Sequence, residues 1–508
     1  MNDKAAIIDL GSNSARVIIM QLFEDGSYKM IDQGKAVVLL SEGMAADLNL
    51  RSSAMGRAIE VLKLFKKLIE SHKVQKVFAI ATAAVRNSSN GGQFLSRVKS
   101  ETGFDFTIVT GAEESYYDYL GVINTIDIKD CVIVDTGGGS TEIILVKNRR
   151  VRHAISIPYG AVVLTEKFLT SGDEFKSGLK AAETFIRAKI RALKWLEDAK
   201  GLPVIGLGGS IRNLAKIHKN ANGFIIDGLH NYRIPAVDVR MMYDKITGLK
   251  VNDRKKLLGL SKDRASIIAG GLVPVSLIME HITSEQLIIS GSGLREGVFY
   301  KNFHLQCGME REIVDDVLEH SLLNTMMKYE SNIPHSRQVQ MLALSMFDQL
   351  KELHGLDDRY RRQLYVGSLL HDIGLYVDYY NHHNHGFYLA TNSGINGLSH
   401  RDQLICGYII ALHRNEDFNR NWKDFSLYMD QNDYEAIRKL GMFVRIAEAL
   451  DRNEYGHVEK IQCLVEQKQI KIILTAKRVA DLEIAAANLS GKAFKRVFGK
   501  KLVFESKF

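Results

Sequence analysis

Two short segments of the chain repeat one pattern of residue types: an apolar run, a carboxylate, and a turn rich in Gly, Ser and Thr. The first runs from Asp9 to Arg16 and the second from Asp135 to Glu142, and each leads into a second apolar run. Small residues at a hairpin tip let backbone N–H groups approach an anion closely, because no Cβ stands in the way. We therefore expect the two turns to face each other and to hold a phosphate chain from both sides.

The two copies differ in charge at their last position. Arg16 offers a phosphate-binding guanidinium, whereas Glu142 offers a carboxylate that can bind a metal ion. This difference indicates chemistry rather than simple duplication. The residues predicted to bind phosphate are Gly11, Ser12, Asn13, Ser14, Arg16, Gly137, Gly138, Gly139, Ser140 and Thr141.

Three carboxylates are the candidates to hold Mg²⁺ or Mn²⁺. They are Asp9, Asp135 and Glu142. Mg²⁺ prefers a few protein carboxylates plus the oxygens of a phosphate, which suits a pair of phosphate-binding turns. A carboxylate before a glycine is also a common strand end, and that structural interpretation is the alternative.

The segments after the two turns predict the same order of elements twice. Extended runs are expected near Tyr28–Leu40, Lys76–Thr82, Phe104–Thr110, Val151–Pro158, Pro203–Leu207 and Gln286–Ser290, with helices between them. Strands joined by helical crossovers form a mixed sheet covered by helices, and ligands bind outside the strand ends. Two such halves with a cleft between them are the expectation.

The length of 508 residues predicts three or four domains. No run of about 18 uncharged apolar residues is present, and a core strand follows almost directly on Met1, so we expect neither a signal peptide nor a membrane anchor. Four cysteines with no CxxC pair are typical of a reducing cytoplasm, although the sequence leaves a disulfide open. A cytoplasmic enzyme is the prediction.

The formal net charge of +8 is unevenly distributed. From His457 to the end the chain carries eleven Lys or Arg and five Asp or Glu. This excess is either a solvated basic face or a surface that guides a polyanion by its field. It does not predict sequence-specific recognition of nucleic acid.

Six motifs occur in an order that resembles the exopolyphosphatase and guanosine pentaphosphatase (Ppx/GppA) family. They are Asp9–Arg16, Thr82–Asn90, Gly111–Glu114, Asp135–Glu142, Gly206–Ser210 and Leu294–Gly297. The whole chain looks like the long form of this family. The resemblance implies the actin-like fold of sugar kinases and ATPases, which is related to ribonuclease H. It also implies hydrolysis of terminal phosphoanhydride bonds, one orthophosphate at a time.

The resemblance also assigns roles to residues outside the turns. Glu114 matches the family's catalytic base, and Arg86 would supply a fixed positive charge. Glu113 is interpreted as the structural capping residue of the same helix. The segment Gly206–Ser210 resembles the nucleotide-contacting loop of related kinases, or it only closes the wall of the cleft.

A separate pattern begins after residue 303, where the apolar spacing becomes helical. His335, the pair His371-Asp372, and Asp451 occur in the order and rough spacing of the HD phosphohydrolase superfamily. In that family four such side chains come from separate helices and converge on a divalent metal. The resemblance implies a second divalent metal site, and an independent second activity is an alternative.

Other histidines lie between these positions. His385 and His413 are further candidate ligands. The segment 381–384 reads Asn-His-His-Asn and is interpreted as a solvated loop. The end of the chain predicts strands around Lys471–Leu474 and Lys501–Glu505, with one helix near Asp481–Phe494.

The predicted fold class is α/β, with duplicated actin-like domains at residues 1–127 and 128–302. An all-α HD-like domain would follow at 303–455, and a small α/β domain at 456–508. We expect a homodimer without a membrane partner.

The predicted function is that of a Mg²⁺-dependent exopolyphosphatase acting on inorganic polyphosphate. A guanosine pentaphosphate 5′-phosphatase that uses the same site is the closest rival, because both substrates end in the same phosphoanhydride. An ATP-dependent kinase or ATPase of the same fold is a third hypothesis. A sensor of polyphosphate or of guanosine penta- or tetraphosphate is a fourth.

Overall fold

The computed structural model describes residues 3–44, 47–169, 174–224, 226, 228–414, 418 and 421–507. The chain forms two compact units, which are treated separately below. The first unit contains the residues up to Phe224 and those from Gly228 to Val317. The second contains the residues from Leu318 onward, together with Ile226.

The first unit begins with a five-stranded sheet. Its strands are β1 (Asp3–Leu10), β2 (Ser14–Leu22), β3 (Tyr28–Val37), β4 (Lys76–Ala81) and β5 (Phe106–Ile108), in the spatial order β3-β2-β1-β4-β5. The accompanying helices are α1 (Ser52–Ser71), α2 (Ala83–Arg86), α3 (Gly91–Thr102) and α4 (Gly111–Ile123). The first three strands are antiparallel neighbours, whereas β1, β4 and β5 run parallel.

The same unit contains a second sheet with the order β10-β11-β9-β6-β7-β8. Its strands are β6 (Cys131–Thr136), β7 (Thr141–Lys147), β8 (Arg150–Ile157), β9 (Val204–Leu207), β10 (Tyr232–Pro235) and β11 (Gln286–Ile289). The helices are α5 (Ala161–Phe168), α6 (Phe175–Ala192), α7 (Gly209–Ala221), α8 (Ala236–Gly248), α9 (Val251–Arg254), α10 (Ile268–His281) and α11 (Leu294–Phe303), with 3₁₀ turns at Lys194–Ala199 and Lys262–Arg264.

The two sheets are built on one plan, as the sequence predicts. In each, a three-stranded antiparallel meander is extended on its first strand by parallel strands that follow helical crossovers. Strand β10 has no counterpart in the first sheet and was missed by the sequence prediction, because it has only four residues and ends in a proline. The central strands β1 and β6 are apolar over most of their length and are buried between helices.

The second unit is a helical bundle with a small sheet. Its helices are α12 (Val317–Lys328), α13 (Ile333–Gln349), α14 (Lys351–His354), α15 (Arg359–Leu369), α16 (His382–Asn392), α17 (His400–Leu412), α18 (Gln431–Ala449), α19 (Asp481–Asn488) and α20 (Gly491–Phe498). Strands β12 (Val458–Val465), β13 (Gln469–Ala476) and β14 (Lys501–Lys507) form a sheet in that order. Val458, Ile472 and Phe494 belong to the same core cluster as the bundle residues Phe347 and Phe443.

One element of the second unit differs from the sequence prediction. The helix expected near Asp481–Phe494 is two helices, α19 and α20, separated at Leu489-Ser490.

All four cysteines of the chain are free thiols. Within the described residues no helix combines the length and apolar character that a membrane crossing needs.

Candidate active site

The two glycine-rich turns have the same backbone geometry. The N–H of Gly11 donates to the carbonyl of Ser14 at 3.2 Å, and that of Gly137 donates to Ser140 at 3.0 Å. Each turn therefore closes at the same point of its hairpin. Ser12, Asn13, Gly138 and Gly139 occupy the tips, which leaves small or polar residues where a ligand can approach the backbone.

The tips lie against each other, as the sequence predicts. A Cβ added to Gly138 would lie 2.9 Å from Cβ of Ser12, and one added to Gly139 would lie 2.6 Å from Oγ of Ser12. Real side chains do not tolerate such distances, so this approach requires glycine at both positions. The two turns together form one end of a pocket of about 110 Å³.

The strand register pairs the two charged residues that flank each turn, as the sequence pattern suggests. Asp9 lies opposite Arg16 on β1 and β2, and Asp135 lies opposite Glu142 on β6 and β7. Directly opposed residues of an antiparallel pair project on the same face. Arg16 and Glu142 therefore occupy equivalent positions in the two hairpins.

Three of the residues predicted for this site, Arg86, Thr141 and Glu142, do not line the pocket. Glu142 is buried and accepts a hydrogen bond from Oγ of Ser156 at 2.7 Å. Thr141 is also buried, and its hydroxyl donates to the carbonyl of Tyr159 at 2.9 Å. Because that hydroxyl is used by the neighbouring backbone, the prediction of Thr141 as a phosphate ligand is wrong for this conformation. The lining includes the other predicted turn residues, Gly11, Ser12, Asn13, Ser14, Arg16, Gly137, Gly138, Gly139 and Ser140, and also Asp9 and Asp135.

Glu114 reaches the pocket from the first turn of α4. Thr110 and Glu113 form a capping box at the start of this helix, which fixes where it begins and confirms the capping role expected of Glu113. Oε2 of Glu114 accepts a hydrogen bond from Nη1 of Arg86 at 2.8 Å. The same Nη1 donates to the carbonyl of Val109 at 2.9 Å, so Arg86 is itself held in place.

The surroundings of Glu114 make it an unusual carboxylate. Burial raises its pKa from the ordinary value of 4.5 to about 7, and the charges of Asp135 and Asp9 act in the same direction. Arg86 opposes the shift but does not cancel it. A carboxylate with a pKa near neutrality can accept a proton and release it at physiological pH.

Four arginines line the pocket: Arg16, Arg212, Arg264 and Arg295. Within the described ranges, no carboxylate oxygen lies within 4.0 Å of the guanidinium nitrogens of Arg16, Arg212 or Arg264. Burial and the charges of Arg212 and Arg295 lower the pKa of Arg16 to about 10, so it stays charged at neutral pH. Such cations repel one another and attract an anion that lies between them.

Asp118 lies one helical turn beyond Glu114 on α4 and is fully buried. Among the described residues, neither of its carboxylate oxygens has a hydrogen-bond partner. Burial raises its pKa well above the ordinary range, and the charges of Asp135 and Glu142 raise it further. Asp118 therefore adds to a group of neighbouring carboxyl groups, with Asp9, Glu114, Asp135 and Glu142, whose charges repel one another.

The loop after β9 forms another wall, through Leu207, Gly208 and Gly209. Gly208 has a φ of +94°, and a Cβ there would lie 2.4 Å from the carbonyl of Thr136. The guanidinium of Arg264 lies over Gly209, where a Cβ would be 2.5 Å from Cζ. Gly208 therefore lets the loop pack against the second turn, and the missing side chain of Gly209 leaves room for the guanidinium of Arg264.

Several residues of this pocket were missed by the sequence analysis. Arg212 stands in the first turn of α7, directly after the Gly206–Ser210 motif, so its proximity to that motif was an available signal. Arg295 belongs to the quoted motif Leu294–Gly297 but received no role. Arg264 lies in a short 3₁₀ turn with no motif around it, and only the fold brings it here.

The residues of the HD-like pattern form a second cluster, in the second unit. His335, His371 and Asp372 form one group whose potential ligand atoms all lie within 4.8 Å of one another. Asp372, His382 and His413 form another. Asp451 belongs to neither group, because its Oδ2 accepts a hydrogen bond from Nδ1 of His335 at 2.8 Å instead.

The solvated loop predicted for residues 381–384 is wrong. His382 begins helix α16 and is only 3% exposed, in contact with His413. Because the segment is polar and apolar residues follow only from Phe387 onward, the residue pattern did not indicate that a helix begins at His382. His413 joins the cluster as expected, whereas His385 belongs to neither group of described residues.

Comparison with known families agrees with this arrangement. The model of the Ppx/GppA phosphatase family matches residues 19–306, and that of Ppx/GppA phosphatase, domain III, matches residues 317–492. The chain belongs to the Ppx/GppA phosphatase family, in a long form with a C-terminal domain. The resemblance seen in the motifs, the actin-like fold and the hydrolase class are thereby confirmed.

Solved structures show the same relationship for the first part of the chain. A family member from Aquifex aeolicus is 30% identical and has a TM-score of 0.52, with 60% of this chain and 99% of its own covered. A PPX-GPPA enzyme from the same organism is 32% identical with a TM-score of 0.50, covering 59% and 99%. An exopolyphosphatase from Cytophaga hutchinsonii is 22% identical with a TM-score of 0.55, covering 61% and 99%, which shows a shared fold.

Proposed function

We propose that the chain is an exopolyphosphatase that removes orthophosphate units, one at a time, from the end of inorganic polyphosphate. The observation that carries this proposal is the position of Glu114. It is a buried carboxylate with a pKa of about 7 beside a pocket lined by arginines and closed by two glycine-rich turns. This combination suits a reaction that needs anion binding and activation of water.

The terminal phosphates would bind between the turns. Backbone N–H groups at Ser12, Asn13, Gly138 and Gly139 can approach the phosphate oxygens, since no large side chain intervenes. The pocket arginines would neutralise the charge of the terminal and penultimate groups. A polyanion with no other distinguishing feature fits this lining, which is mainly polar.

Glu114 would act on the attacking water. Its ionised carboxylate accepts a proton from the water while the water oxygen forms a bond to the terminal phosphorus. The bond from that phosphorus to the bridging oxygen breaks, and the shortened chain leaves with the bridging oxygen. Arg86, fixed by Val109, holds the Glu114 carboxylate in the orientation that this step requires.

The carboxylates of the pocket suit a divalent cation. Oδ1 of Asp135 is buried without a hydrogen-bond partner among the described residues, as are both oxygens of Asp118. Asp9 and Asp135, which line the pocket, would hold Mg²⁺ or Mn²⁺ directly or through water, and Glu142, the register partner of Asp135, would contribute through water. When bound, the ion would neutralise charge on the phosphate oxygens.

Guanosine pentaphosphate is the second candidate substrate, because its 5′ end carries the same terminal phosphoanhydride. ATP hydrolysis or phosphoryl transfer to an acceptor is the third, and the loop at Leu207–Gly209 would then contact a nucleotide. A purely sensing role would require an inactive base, whereas Glu114 is present. A cytoplasmic homodimer also stays a prediction.

The test is a comparison of substrates under identical conditions. Orthophosphate release should be measured from long polyphosphate, tripolyphosphate, guanosine pentaphosphate and ATP in the presence of Mg²⁺. We expect the highest kcat/KM with long polyphosphate. A higher kcat/KM with guanosine pentaphosphate would assign that nucleotide as the substrate. A preference for ATP would reject both phosphatase proposals.

A further inference from the structure

A lysine on the edge strand of the first sheet continues a row of charged residues that begins in the active site. Asp9 on β1 lies opposite Arg16 on β2, and Arg16 lies opposite Lys35 on β3. Directly opposed residues of antiparallel strands project on the same face of a sheet. Asp9 and Arg16 line the pocket, whereas Lys35 does not. The row therefore runs from the pocket to the edge strand, over about 10 Å at the usual spacing of neighbouring strands.

The opposite face of β3 is covered by a helix. A Cβ added to Gly34 would lie 3.0 Å from Cε1 of Phe65 on α1. Successive residues of a strand project to opposite faces, so Lys35 projects away from α1. Part of its surface is exposed to solvent. A ligand that extends out of the pocket can therefore reach the ammonium group of Lys35.

Lys35 lies near the arginines of the pocket. Partial burial lowers the pKa of Lys35, and the charges of Arg16, Arg264 and Arg212 lower it further. Asp263 acts in the opposite direction. Arg212 is on α7 and Arg264 is in a 3₁₀ turn, and both segments belong to the half of the unit that contains the second sheet. Lys35 therefore faces cations from both halves of the first unit.

The charge of Lys35 is not balanced by an ion pair. Within the part of the chain that the structure describes, no carboxylate oxygen lies within 4.0 Å of its Nζ. Asp32 on the same strand, by contrast, accepts a hydrogen bond from Nε2 of His72 at 2.8 Å. Like charges placed directly opposite each other, such as Arg16 and Lys35, destabilise a sheet. A bound polyanion would remove that cost, so the arrangement favours a ligand with several negative charges.

The order of the strands gives the direction in which such a ligand would lie. Glu114 is in the first turn of α4, the helix that follows β5. The order β3-β2-β1-β4-β5 places β5 and β3 at opposite edges of the sheet, with Asp9 and Arg16 between them. A linear anion whose end lies beside Glu114 would therefore pass Arg16 before it reaches Lys35.

We propose that Lys35 binds an inner phosphate of the substrate and that polyphosphate leaves the pocket across β2 and β3. This inference rests on the proposed function, because it takes the terminal phosphate to lie beside Glu114. The ammonium group donates hydrogen bonds to phosphate oxygens that do not bridge two phosphorus atoms. A substrate whose phosphates all lie inside the pocket gains nothing from Lys35. The residue therefore selects linear polyanions that are longer than the pocket.

The test measures binding without turnover, in the full-length Glu114→Gln protein. Isothermal titration calorimetry gives the Kd of long polyphosphate and of tripolyphosphate, with and without the additional change Lys35→Gln. We expect Kd for long polyphosphate to increase about tenfold, as the loss of one charge-assisted hydrogen bond predicts. Kd for tripolyphosphate should not change.

Two further variants in the same background separate charge from position. Lys35→Arg keeps the cation and should bind long polyphosphate like the parent protein. The matched control is Lys29→Gln on the same strand, where the ammonium group lies over the ring of Phe23. It should leave both dissociation constants unchanged.

The possible failures of this inference and of the proposed function are distinguishable. If the wild type hydrolyses long polyphosphate but Lys35→Gln binds both ligands like its parent, the exit across β3 is wrong and the proposed function stands. An equal loss of affinity for both ligands would place Lys35 at the terminal phosphates and would also overturn the exit path. No orthophosphate release from long polyphosphate by the wild type would reject the proposed function, and this inference with it.

Discussion

The two candidate sites suit ligands of opposite charge. The pocket of the first unit already contains cations, because Arg16, Arg212, Arg264 and Arg295 line it. The cluster of the second unit instead contains imidazoles around Asp372, side chains that can bind a metal ion. The first site is therefore complementary to an anion as it stands, whereas the second is complementary to a cation.

The two sites also differ in how the chain builds them. The first is assembled from two local hairpin turns that have equivalent sequences and equivalent backbone hydrogen bonds. The second is assembled from single side chains on four helical segments, each fixed by a bond to a carbonyl or to Asp451. This contrast predicts that the two sites can be disabled independently.

The strongest test of that independence is Glu114→Gln. It keeps the size of the side chain but removes the base, so turnover should fall about 10²–10⁴-fold, the range that general-base catalysis supplies. Binding of polyphosphate should not change. Orthophosphate release and equilibrium polyphosphate binding measure the two effects.

The matched control is Glu113→Gln in the same helical turn. Gln also completes a capping box, so this variant should keep both stability and turnover close to wild type. An active Glu114→Gln protein would move the role of base to another carboxylate. Loss of metal from the second unit in the same variant would contradict the independence of the sites.

Arg212→Gln should have the next largest effect. A charge-assisted hydrogen bond contributes about 1.5–3 kcal/mol, so kcat/KM for polyphosphate should fall about 10–100-fold. Arg97→Gln is the control, because Arg97 is exposed and bonds Glu101 at 2.7 Å on its own helix. Steady-state kinetics of both variants against wild type provide the measurement. Equal kinetics in both would remove Arg212 from the phosphate site.

The pH dependence of the wild type, compared with that of Glu114→Gln, should report the ionisation of Glu114. Because the base must be ionised, kcat/KM should rise about tenfold per pH unit below 7 and level off above the Glu114 pKa of about 7. The residual activity of Glu114→Gln should lack this step. A rate that does not change between pH 5.5 and 8 would contradict the assignment.

The same shift has a consequence for stability. The folded-state pKa of Glu114 lies above the ordinary value of 4.5, so its contribution to stability is present below that value and lost as pH rises through about 7. The melting temperature of Glu114→Gln relative to wild type should therefore increase between pH 5 and pH 8. Thermal melts at both pH values measure this difference.

The sequence predicted the parts of the molecule that depend on neighbouring residues. The turns at Gly11–Ser14 and Gly137–Ser140 and the capping role of Glu113 follow from local backbone chemistry, and the structure has them. The duplicated strand order also follows from local patterns, because each strand is apolar and each crossover is helical.

The parts that were missed depend on residues far apart in the sequence. Arg264 lines the pocket and Asp118 is fully buried only because elements from different segments pack together there. His382 looked like part of a polar loop, since its burial is provided by elements distant in the sequence, including His413. Thr141 was assigned to phosphate because a motif does not say which way a hydroxyl points.

Reversing charges in the basic C-terminal segment should have the smallest effect on activity. Lys492 and Lys495 are exposed on α20, and Lys501 is exposed at the start of β14. Deleting the segment would uncover core residues of the bundle such as Phe347 and Phe443, so charge reversal is the cleaner change. We expect long polyphosphate to contact these lysines and tripolyphosphate not to, because only a long polyanion has phosphates to spare outside the pocket.

Lys492→Glu, Lys495→Glu and Lys501→Glu together should therefore raise KM for long polyphosphate a few-fold and leave KM for tripolyphosphate unchanged. Because polyanion contacts release counterions, the variant should also show a shallower loss of affinity as salt increases. The control reverses three exposed lysines elsewhere, Lys67, Lys99 and Lys200, which changes the net charge equally. If both triple variants weaken long polyphosphate to the same degree, net charge alone is responsible. If neither does, the basic segment is a solvated surface, and long-chain recognition is confined to the arginine-lined pocket.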